Sequence, residues 1–240
     1  MRIAIVSDIH GNFTALQAVI ADLEGVSPDL IFHGGDLADA GSSPVEVVDY
    51  IRHADWPGVM GNTDEMLIRP ESLEKFAAQS SAPPAMWSAI RQMADYTRIR
   101  LGPERLAWLC TMPATHVHAP VALVHASPQD PWRAPRRDAT DAELEQIYGS
   151  LGQRIVVHGH THLPGIRVLD SGRLIANSGS VGMPHDGDLR ACYLLIDEGV
   201  ASVRRVAYDL EKELDRLADS GLPHAEWTAK MLRSATPQLP

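Results

Sequence analysis

The sequence contains only two cysteines, Cys110 and Cys192, among 240 residues. They are far apart in the chain and form no CxxC pair, so neither a disulfide framework nor a thiolate metal site is indicated. Long apolar runs are also lacking. The apolar start of the chain, residues 1–7, leads straight into Asp8 and is too short for a signal-peptide core, and no stretch approaches the length of a transmembrane helix. We therefore expect a soluble, cytoplasmic protein without a membrane partner.

Positive charge is scarce as well. The 21 Lys and Arg residues are outnumbered by 31 Asp and Glu, which gives a formal net charge of -10. The basic residues are scattered, so binding to nucleic acid through phosphate neutralisation is not indicated. The length, with 18 Gly and 17 Pro, suits a single α/β domain over residues 1–240 with many short connections. The oligomeric state is left open.

The most distinctive stretch is His158-Gly159-His160-Thr161-His162, which has three imidazoles in five residues. Imidazole is the commonest metal-binding side chain, and an alternating His-x-His segment can direct two rings at a pair of ions about 3.5 to 4 Å apart. The apolar run at 154–157 precedes it and is typical of a buried strand. The histidines therefore follow a strand's carboxyl end, where open α/β sheets bind their ligands.

Other predicted strands also end in polar side chains. The run at 3–6 leads into Asp8 and His10, and the run at 29–33 leads into Asp36. The runs at 57–60 and 121–124 are followed by Asn62 and His125 respectively. The collected donors are two carboxylates, one amide and four imidazoles. Such a mixed oxygen and nitrogen set suits Mn, Fe, Zn or Ni, and matches calcium or thiolate-seeking metals poorly.

Helical patterns occupy three parts of the chain besides the crossover helices at 13–23 and 44–52. Residues 65–112 form a predicted helical insertion, in which the Met and Trp residues of 85–96 have helical spacing. We interpret these as helix packing, although an insertion beside a site could also act as a lid that selects substrate. Thr140 and Glu143 form a capping-box signature for a further helix, and a terminal helix is expected over 210–233 within a C-terminal segment, 209–240.

The ordered donors resemble those of the calcineurin-like metallophosphoesterase superfamily. The resemblance rests on Asp8-x-His10, Gly35-Asp36, Gly61-Asn62, Val124-His125 and Gly159-His160-x-His162. The loop at 177–182 is similar to the Asn-Pro-Gly-Ser loop of the small bacterial phosphodiesterase branch, with Ser178 where proline is usual. The resemblance implies an α/β fold with four αββα layers, in which two mixed β-sheets are flanked by helices.

The resemblance also implies a function: a phosphodiesterase with two divalent metal ions and a small or nucleotide-like substrate. One ion would be held by Asp8, His10, Asp36 and His162, and the other by Asp36, Asn62, His125 and His160. Two adjacent cations activate a shared water for in-line attack on phosphorus. Phosphomonoester, dinucleoside polyphosphate and phosphoprotein hydrolysis stay open.

One position departs from much of the superfamily. A histidine that is thought to assist leaving-group departure commonly follows the asparagine, but here the residue is Thr63. The small bacterial branch also commonly lacks this histidine. Threonine cannot act as an acid near neutral pH, so we expect substrates whose leaving group needs little protonation, such as aryl or nucleotide esters and anhydrides.

Further residues are assigned more simply. Asn12 is the predicted N-cap of the first helix and, with Arg190, a candidate for substrate binding. His185 is a further candidate for contact with phosphate, whereas Arg133, Arg136 and Arg137 suit a solvated face better. His158 is expected to pack in the core or support the ligands, and His33 to pack within its strand.

Two rival interpretations fit the sequence less well. Amidohydrolases have His-x-His on the first strand, where this chain has Asp-x-His, and metallo-β-lactamase folds need His-x-His-x-Asp-His, which is absent. A retromer subunit resembles this fold but acts as a scaffold. A scaffold would be expected to have lost ligands, whereas all seven positions are filled here.

Overall fold

Two β-sheets lie at the centre of the protein, in a computed structural model that describes residues 1–240. The first sheet has the order β2-β1-β8-β9, with strands β1 (Arg2–Val6), β2 (Leu30–His33), β8 (Ala191–Asp197) and β9 (Val200–Val206). The second has the order β3-β4-β5-β7-β6, with strands β3 (Thr115–His118), β4 (Val121–Val124), β5 (Ile155–His158), β6 (Gly165–Val168) and β7 (Leu174–Asn177). Both sheets mix parallel and antiparallel pairs, as predicted.

The central strands β1, β4 and β5 are apolar at nearly every position because both of their faces are buried, whereas the edge strands β6 and β9 are exposed or half-buried. Ile3 and Ile5 of β1 share one buried cluster with Leu123 of β4 and Val157 of β5, and this cluster lies between the two sheets. The intervening residues face outward, since successive side chains of a strand point to opposite faces. Ala4 is one of these and packs against the helical layer outside the first sheet.

Helices cover both outer faces. Helices α1 (Phe13–Val26) and α2 (Pro44–His53) pack on the first sheet, and α6 (Asp141–Tyr148) packs on the second through Leu144 and Tyr148. The layer order is therefore αββα, and the predicted fold class is confirmed. None of the helices combines the length and the hydrophobicity that a bilayer crossing requires.

The segment predicted as a helical insertion, 65–112, is filled by three helices, α3 (Asn62–Ile68), α4 (Pro70–Ala77) and α5 (Pro84–Leu109). Helix α5 is interrupted at Gly102, which has φ 68° and is followed by Pro103. Two further helices, α7 (Leu210–Asp219) and α8 (Ala225–Ser234), follow the last strand.

Two predicted elements differ from the structure. The run at 57–60 does not form a strand and makes only one isolated bridge, from Gly58 to His33. Pro57 has no N–H to donate, and although Val59 N–H donates to the carbonyl oxygen of His33, Met60 N–H turns away from that strand and donates to Pro113. The terminal helix is also not continuous over 210–233, because Gly221 adopts φ 78° and separates α7 from α8.

Candidate metal centre

The seven donor residues predicted from the sequence converge at one edge of the sandwich. Six of them follow the carboxyl ends of β1, β2, β4 and β5, and Asn62 is the first residue of α3. The carboxyl ends of parallel strands meet at the same edge of a sheet, and here the two packed sheets bring both edges together. All seven side chains therefore reach one place although they span 155 positions of the chain, from Asp8 to His162.

Four donors form the first group. His162 Nε2 lies 3.3 Å from Asp8 Oδ1, and His10 Nε2 lies 3.6 Å from Asp36 Oδ2. The ligand atoms of these four residues are all within 4.8 Å of one another, and all four residues are buried. This is the same group that the superfamily resemblance assigns to one ion.

The remaining donors adjoin the other side of Asp36. His125 Nε2 is 3.4 Å from Asp36 Oδ2 and 3.0 Å from Asn62 Oδ1, and His160 Nδ1 is 2.8 Å from the same Asn62 oxygen. Asp36 Oδ2 thus lies between His10 of the first group and His125 of the second. A carboxylate in this position has two oxygens with which to contact two ions.

The directions of the donor atoms fit cations. His10 Nδ1 is 3.0 Å from the carbonyl oxygen of Asp39, and His162 Nδ1 is 2.6 Å from that of Met183. Each Nδ1–H therefore donates to the backbone, which leaves the Nε2 lone pairs of the two rings facing each other at 3.1 Å. Two lone pairs at this distance repel. Either a proton on His162, whose pKa the neighbouring Asp8 raises despite burial, or a cation that both rings bind removes the repulsion.

His125 repeats the arrangement. Its Nδ1 donates to the carbonyl oxygen of Gly34 at 2.7 Å, so its Nε2 faces the oxygens of Asp36 and Asn62. Metal-binding histidines commonly donate their second ring nitrogen to a carbonyl in this way, which fixes the tautomer and the ring orientation.

The pKa values of the second donor group depend on burial and on the charge of Asp36. Burial alone would lower the pKa of His125, but the charge and hydrogen bond of Asp36 raise it to about 10. Burial lowers the pKa of His160 to about 4, and the pKa of Asp36 is lowered despite burial because His125 and His10 lie beside it. Without a metal, Asp36 is therefore ionised, His160 is neutral and His125 is protonated, and a metal ion bound by His125 would displace that proton.

The backbone at this edge is unusual. Five of the seven donors have positive φ although none is glycine, with values of 55° at Asp8, 49° at His10, 54° at Asp36, 68° at His160 and 57° at His162. A left-handed conformation at a residue other than glycine costs roughly 1 to 3 kcal/mol, and such residues cluster at functional sites. The fold tolerates this strain after the ends of β1, β2 and β5, where the side chains turn toward one another.

A buried carboxylate that the sequence analysis did not single out holds Asp36 in place. Asp64 accepts hydrogen bonds from the backbone N–H groups of Asp36 at 2.7 Å, Leu37 at 3.0 Å and Gly61 at 3.0 Å. Its position two residues after Asn62 is the only signal in the sequence, and the first turn of a helix is an ordinary place for an Asp. Its role therefore depends on tertiary contacts.

The loop at 177–182 supports Asp8 from the other side. Ser180 Oγ donates to the carbonyl oxygen of Asp8 at 2.6 Å, and Gly182 N donates to the same oxygen at 3.0 Å. Ser178, which replaces the usual proline, lies apart from the donors and contacts the carbonyl oxygen of His158.

The candidate substrate-binding residues do not join the donors. Asn12 caps α1 by accepting from Ala15 N at 2.9 Å, as predicted, and its amide nitrogen donates to the carbonyl oxygen of Gly182 at 3.0 Å. Arg190 is exposed and its guanidinium binds Asp188. Both side chains are thus engaged within the protein.

Two other histidines differ in their position relative to the donors. His185 is half-buried and its ring stacks on that of His162, with centroids 4.3 Å apart, so it adjoins the donor group. His158 is buried and stacks on Tyr148 outside the group, which agrees with the packing role expected for it.

A cavity of about 270 Å³ opens beside the donors. His10, Asn62 and His160 form part of its wall, and most of the rest is apolar and comes from α3, α4, α5 and α8. Trp87 and Met93, which the sequence analysis interpreted as packing residues, are buried and also line this cavity. The helical segment therefore shapes the space beside the site.

Comparison with known proteins places these features in a family. Residues 1–199 match the family described as the calcineurin-like phosphoesterase superfamily domain. An uncharacterised protein of Methanocaldococcus jannaschii is 31% identical over a 252-residue alignment that covers 96% of each chain. A symmetrical bis(5′-nucleosyl)-tetraphosphatase of Aromatoleum aromaticum is 27% identical over 154 residues, which cover 61% of this chain and 52% of that protein.

A solved structure agrees with the sequence matches. The crystal structure of a metallophosphoesterase from Sphaerobacter thermophilus is 26% identical and aligns with a TM-score of 0.79. The alignment covers 98% of this chain and 99% of that one, so the similarity includes both sheets and the helical segments.

Proposed function

This chain belongs to the calcineurin-like phosphoesterase superfamily, and we propose that it is a phosphodiesterase that uses two divalent metal ions to cleave a small or nucleotide-like phosphate ester. At the coarser level it is a metal-dependent phosphoester hydrolase. The diester preference, the substrate and the choice among Mn, Fe, Zn and Ni belong to the proposal, as does the cytoplasmic location expected from the sequence.

The observation that carries the proposal is the convergence of seven donor residues at one sheet edge, with Asp36 Oδ2 within 3.6 Å of both His10 Nε2 and His125 Nε2. We assign Asp8, His10, Asp36 and His162 to one ion. Asn62, His125, His160 and again Asp36 are assigned to the other. Two ions held there would lower the pKa of a shared water toward neutrality and offset the charge that develops on the phosphate during in-line attack.

The protein's own contribution is orientation. The carbonyl oxygens of Asp39 and Met183 fix the tautomers of His10 and His162, so that Nε2 of each ring is free to bind. Asp64 fixes the turn that presents Asp36. Buried ligands that are held in this way need little rearrangement when the substrate arrives.

The cavity supports a diester. A phosphate diester carries one negative charge and two organic groups, whereas a monoester dianion carries two charges and one organic group. The mostly apolar wall beside His10 and His160 suits a second organic group better than a second charge. The substrate's phosphate would lie at the donors, and one ester group would enter the cavity.

The leaving group is constrained by Thr63. Its backbone N–H donates to Asp36 Oδ1 at 2.9 Å, and its side chain lines the cavity where a protonating histidine would otherwise stand. Because a threonine hydroxyl does not release its proton near neutral pH, we expect faster cleavage of aryl and nucleotide esters than of alkyl esters.

Hydrolysis of a dinucleoside polyphosphate is the second candidate, because the tetraphosphatase of Aromatoleum aromaticum matches part of this chain. A scaffold role is the non-enzymatic alternative, and the presence of all seven donors argues against it.

The test is a screen of protein reconstituted separately with Mn, Fe, Zn or Ni. The substrates are bis(4-nitrophenyl) phosphate, 4-nitrophenyl phosphate and diadenosine tetraphosphate, and the matched control is Asp36→Asn, which keeps the size of the side chain. We expect the diester to have the highest kcat/KM and the Asp36→Asn variant to be inactive. A higher kcat/KM for the monoester or the tetraphosphate would overturn the diester assignment. A well-folded protein that binds none of the four metals and cleaves none of the substrates would favour the scaffold.

A further inference from the structure

The cavity beside the donors is built by parts of the chain that lie outside the metal ligands. Trp87 comes from α5, Trp132 from the loop that follows β4, and Trp227 from α8. These three residues and Phe76 of α4 line the same cavity. The Phe76 and Trp132 rings are 5.0 Å apart and tilted by 31°, while Phe76 and Trp87 meet edge to face at 5.9 Å. Aromatic walls of this kind favour flat, aromatic guests.

Some polar atoms of the cavity residues have hydrogen-bonding partners within the protein, and others have none. Trp132 Nε1 donates to Glu65 Oε2 at 2.7 Å, and Trp227 Nε1 donates to the carbonyl oxygen of Gln238 at 2.8 Å. By contrast, Trp87 Nε1, Thr63 Oγ1 and Asp39 Oδ1 are buried and have no hydrogen-bonding partner within the protein.

Buried polar groups in proteins are nearly always paired, so three unpaired atoms among the residues of one cavity need an explanation. If these side chains shift slightly on binding, a group with both acceptors and donors at its rim can supply the partners: an acceptor for Trp87 Nε1–H, and a donor for Asp39 Oδ1, whose carboxyl also lies near the Thr97 hydroxyl. A hydrocarbon or a plain phenyl ring offers neither. A heterocyclic base offers both.

Size limits the guest further. Pockets for drug-sized ligands usually have volumes of about 300 to 1,000 Å³, and this cavity, at about 270 Å³, is smaller. It therefore suits one ring system rather than two. Since His10, Asn62 and His160 belong to its wall, a guest in the cavity lies next to the position assigned to the phosphate.

We propose that the cavity lined by Trp87, Trp132 and Trp227 is a base-binding subsite that accepts one nucleobase of a nucleotide ester while its phosphate occupies the donor cluster. The inference rests on the proposed phosphodiesterase function and narrows its substrate class to esters with a heteroaromatic base. The selecting residues belong to the helical segment, the 132 loop and α8.

Binding of two non-hydrolysable probes to the manganese-loaded protein tests the subsite. The probes are the phosphonate analogues of adenosine 5′-monophosphate and of ribose 5-phosphate, in which a methylene replaces the ester oxygen, so they differ in the base, which the anomeric hydroxyl replaces in the ribose analogue. We expect calorimetry to give a Kd at least about tenfold lower for the adenosine analogue, as burial of an aromatic ring predicts. Equal Kd values would overturn the proposal.

Variants locate the effect. Ile90→Trp adds bulk to the cavity wall, so the ratio of the two Kd values should fall toward one. Ile99→Trp is the matched control, because Ile99 lies on the same helix and is 80% exposed away from the cavity, and its ratio should equal that of the wild type. An unchanged ratio in Ile90→Trp, with circular dichroism showing an intact fold, would contradict the assignment.

A second variant covers the case in which Ile90→Trp fails to fold. Trp87→Phe keeps one aromatic ring but removes the unpaired N–H and part of the aromatic wall, so it should weaken the adenosine analogue several-fold and leave the ribose analogue unchanged. No change for either probe would contradict a base at this position.

Hydrolysis of bis(4-nitrophenyl) phosphate is measured in parallel. A catalytically inactive protein that still prefers the adenosine analogue would refute the phosphodiesterase function, whereas an active protein without the preference would refute the subsite alone.

Discussion

The Nε2 atoms of His10 and His162 lie 3.1 Å apart, and the Nδ1 atom of each ring is in hydrogen-bonding contact with a backbone carbonyl oxygen. The two residues are 152 positions apart in the chain and come from different sheets, so nothing local requires this approach. An arrangement that directs two lone pairs at each other is stable only with positive charge between or beside them.

Removal of His10 is expected to empty one of the two metal positions. His10→Ala deletes a donor of the first group, and because loss of a residue that merely supports a metal ligand already costs about 10- to 100-fold, kcat/KM should fall by more than about 100-fold. Metal content measured by inductively coupled plasma mass spectrometry should fall from two ions per chain toward one. His53→Ala is the control, since His53 is exposed on α2, and it should retain both ions.

Gly159 lies where any side chain would displace Asp8. A Cβ at this position would lie 2.3 Å from Asp8 Oδ2 and 2.4 Å from Ser7 Oγ. Overpacking of this kind costs about 1 to 3 kcal/mol, and each kcal/mol shifts the Tm of a domain this size by about 2 to 4 °C. Gly159→Ala should therefore lower both the Tm and the metal affinity. Gly165→Ala, in β6 of the same sheet, meets nothing within 4 Å and should change neither. Similar Tm values for the two variants would contradict the close approach.

Substitution at Thr63 should change the leaving-group preference. Thr63→His places an acid beside the donor cluster, and since general acid catalysis contributes about 10²- to 10⁴-fold in enzymes, we expect kcat/KM on an alkyl phosphodiester to rise by at least about tenfold. Rates on bis(4-nitrophenyl) phosphate, whose leaving group needs little protonation, should change much less. Thr63→Val, which adds no acid, serves as the control. Equal wild-type rates on alkyl and aryl diesters would refute the expected preference.

Glu213 gives stability a pH dependence away from the metal site. It is buried on α7 and accepts hydrogen bonds from Thr14 Oγ1 at 2.6 Å and Ser42 Oγ at 2.8 Å. Burial raises the pKa of its carboxyl above the ordinary 4.5 despite these bonds. The folded protein therefore holds this proton more tightly than the unfolded chain does. The contribution of Glu213 to the free energy of unfolding is greatest below pH 4.5 and is lost as the pH rises through its folded-state pKa.

Glu213→Gln cannot titrate, so its stability relative to the wild type should increase as the pH rises above the ordinary value. Urea unfolding of metal-free protein at several pH values between about 4.5 and 8 measures this difference. Glu211→Gln, at an exposed position of the same helix, should show no such trend. A difference between Glu213→Gln and wild type that stays constant with pH would show that burial does not raise the carboxyl pKa.

Much of the fold and the donor set could be predicted from the sequence because both depend on patterns of neighbouring residues. Continuous apolar runs such as 121–124 specify buried strands, and a polar residue directly after such a run lies at the sheet edge where ligands bind. The run at 57–60 was predicted wrongly as a strand because its apolar pattern says nothing about the partner that its N–H groups would find. In the structure it makes only one bridge, to His33.

The supporting residues could not be predicted for a similar reason. Asp64 serves Asp36 through backbone N–H groups 27 to 28 positions away, and no local pattern distinguishes it from any Asp in a first helical turn. The cavity is even harder to predict from the sequence, since Trp87, Trp132 and Trp227 each resemble an ordinary packing residue in its own segment. Only the packing of α5 and α8 against the sheet edge brings them to one space.

Anomalous X-ray diffraction from crystals of the manganese-loaded protein tests the central claim most directly. The proposed function predicts two anomalous peaks about 3.5 to 4 Å apart, with Asp36 in contact with both, Asp8, His10 and His162 around one, and Asn62, His125 and His160 around the other. Absence of any peak among these seven side chains in fully loaded protein, or a single peak that Asp36 does not contact, would contradict the assignment of a two-metal site.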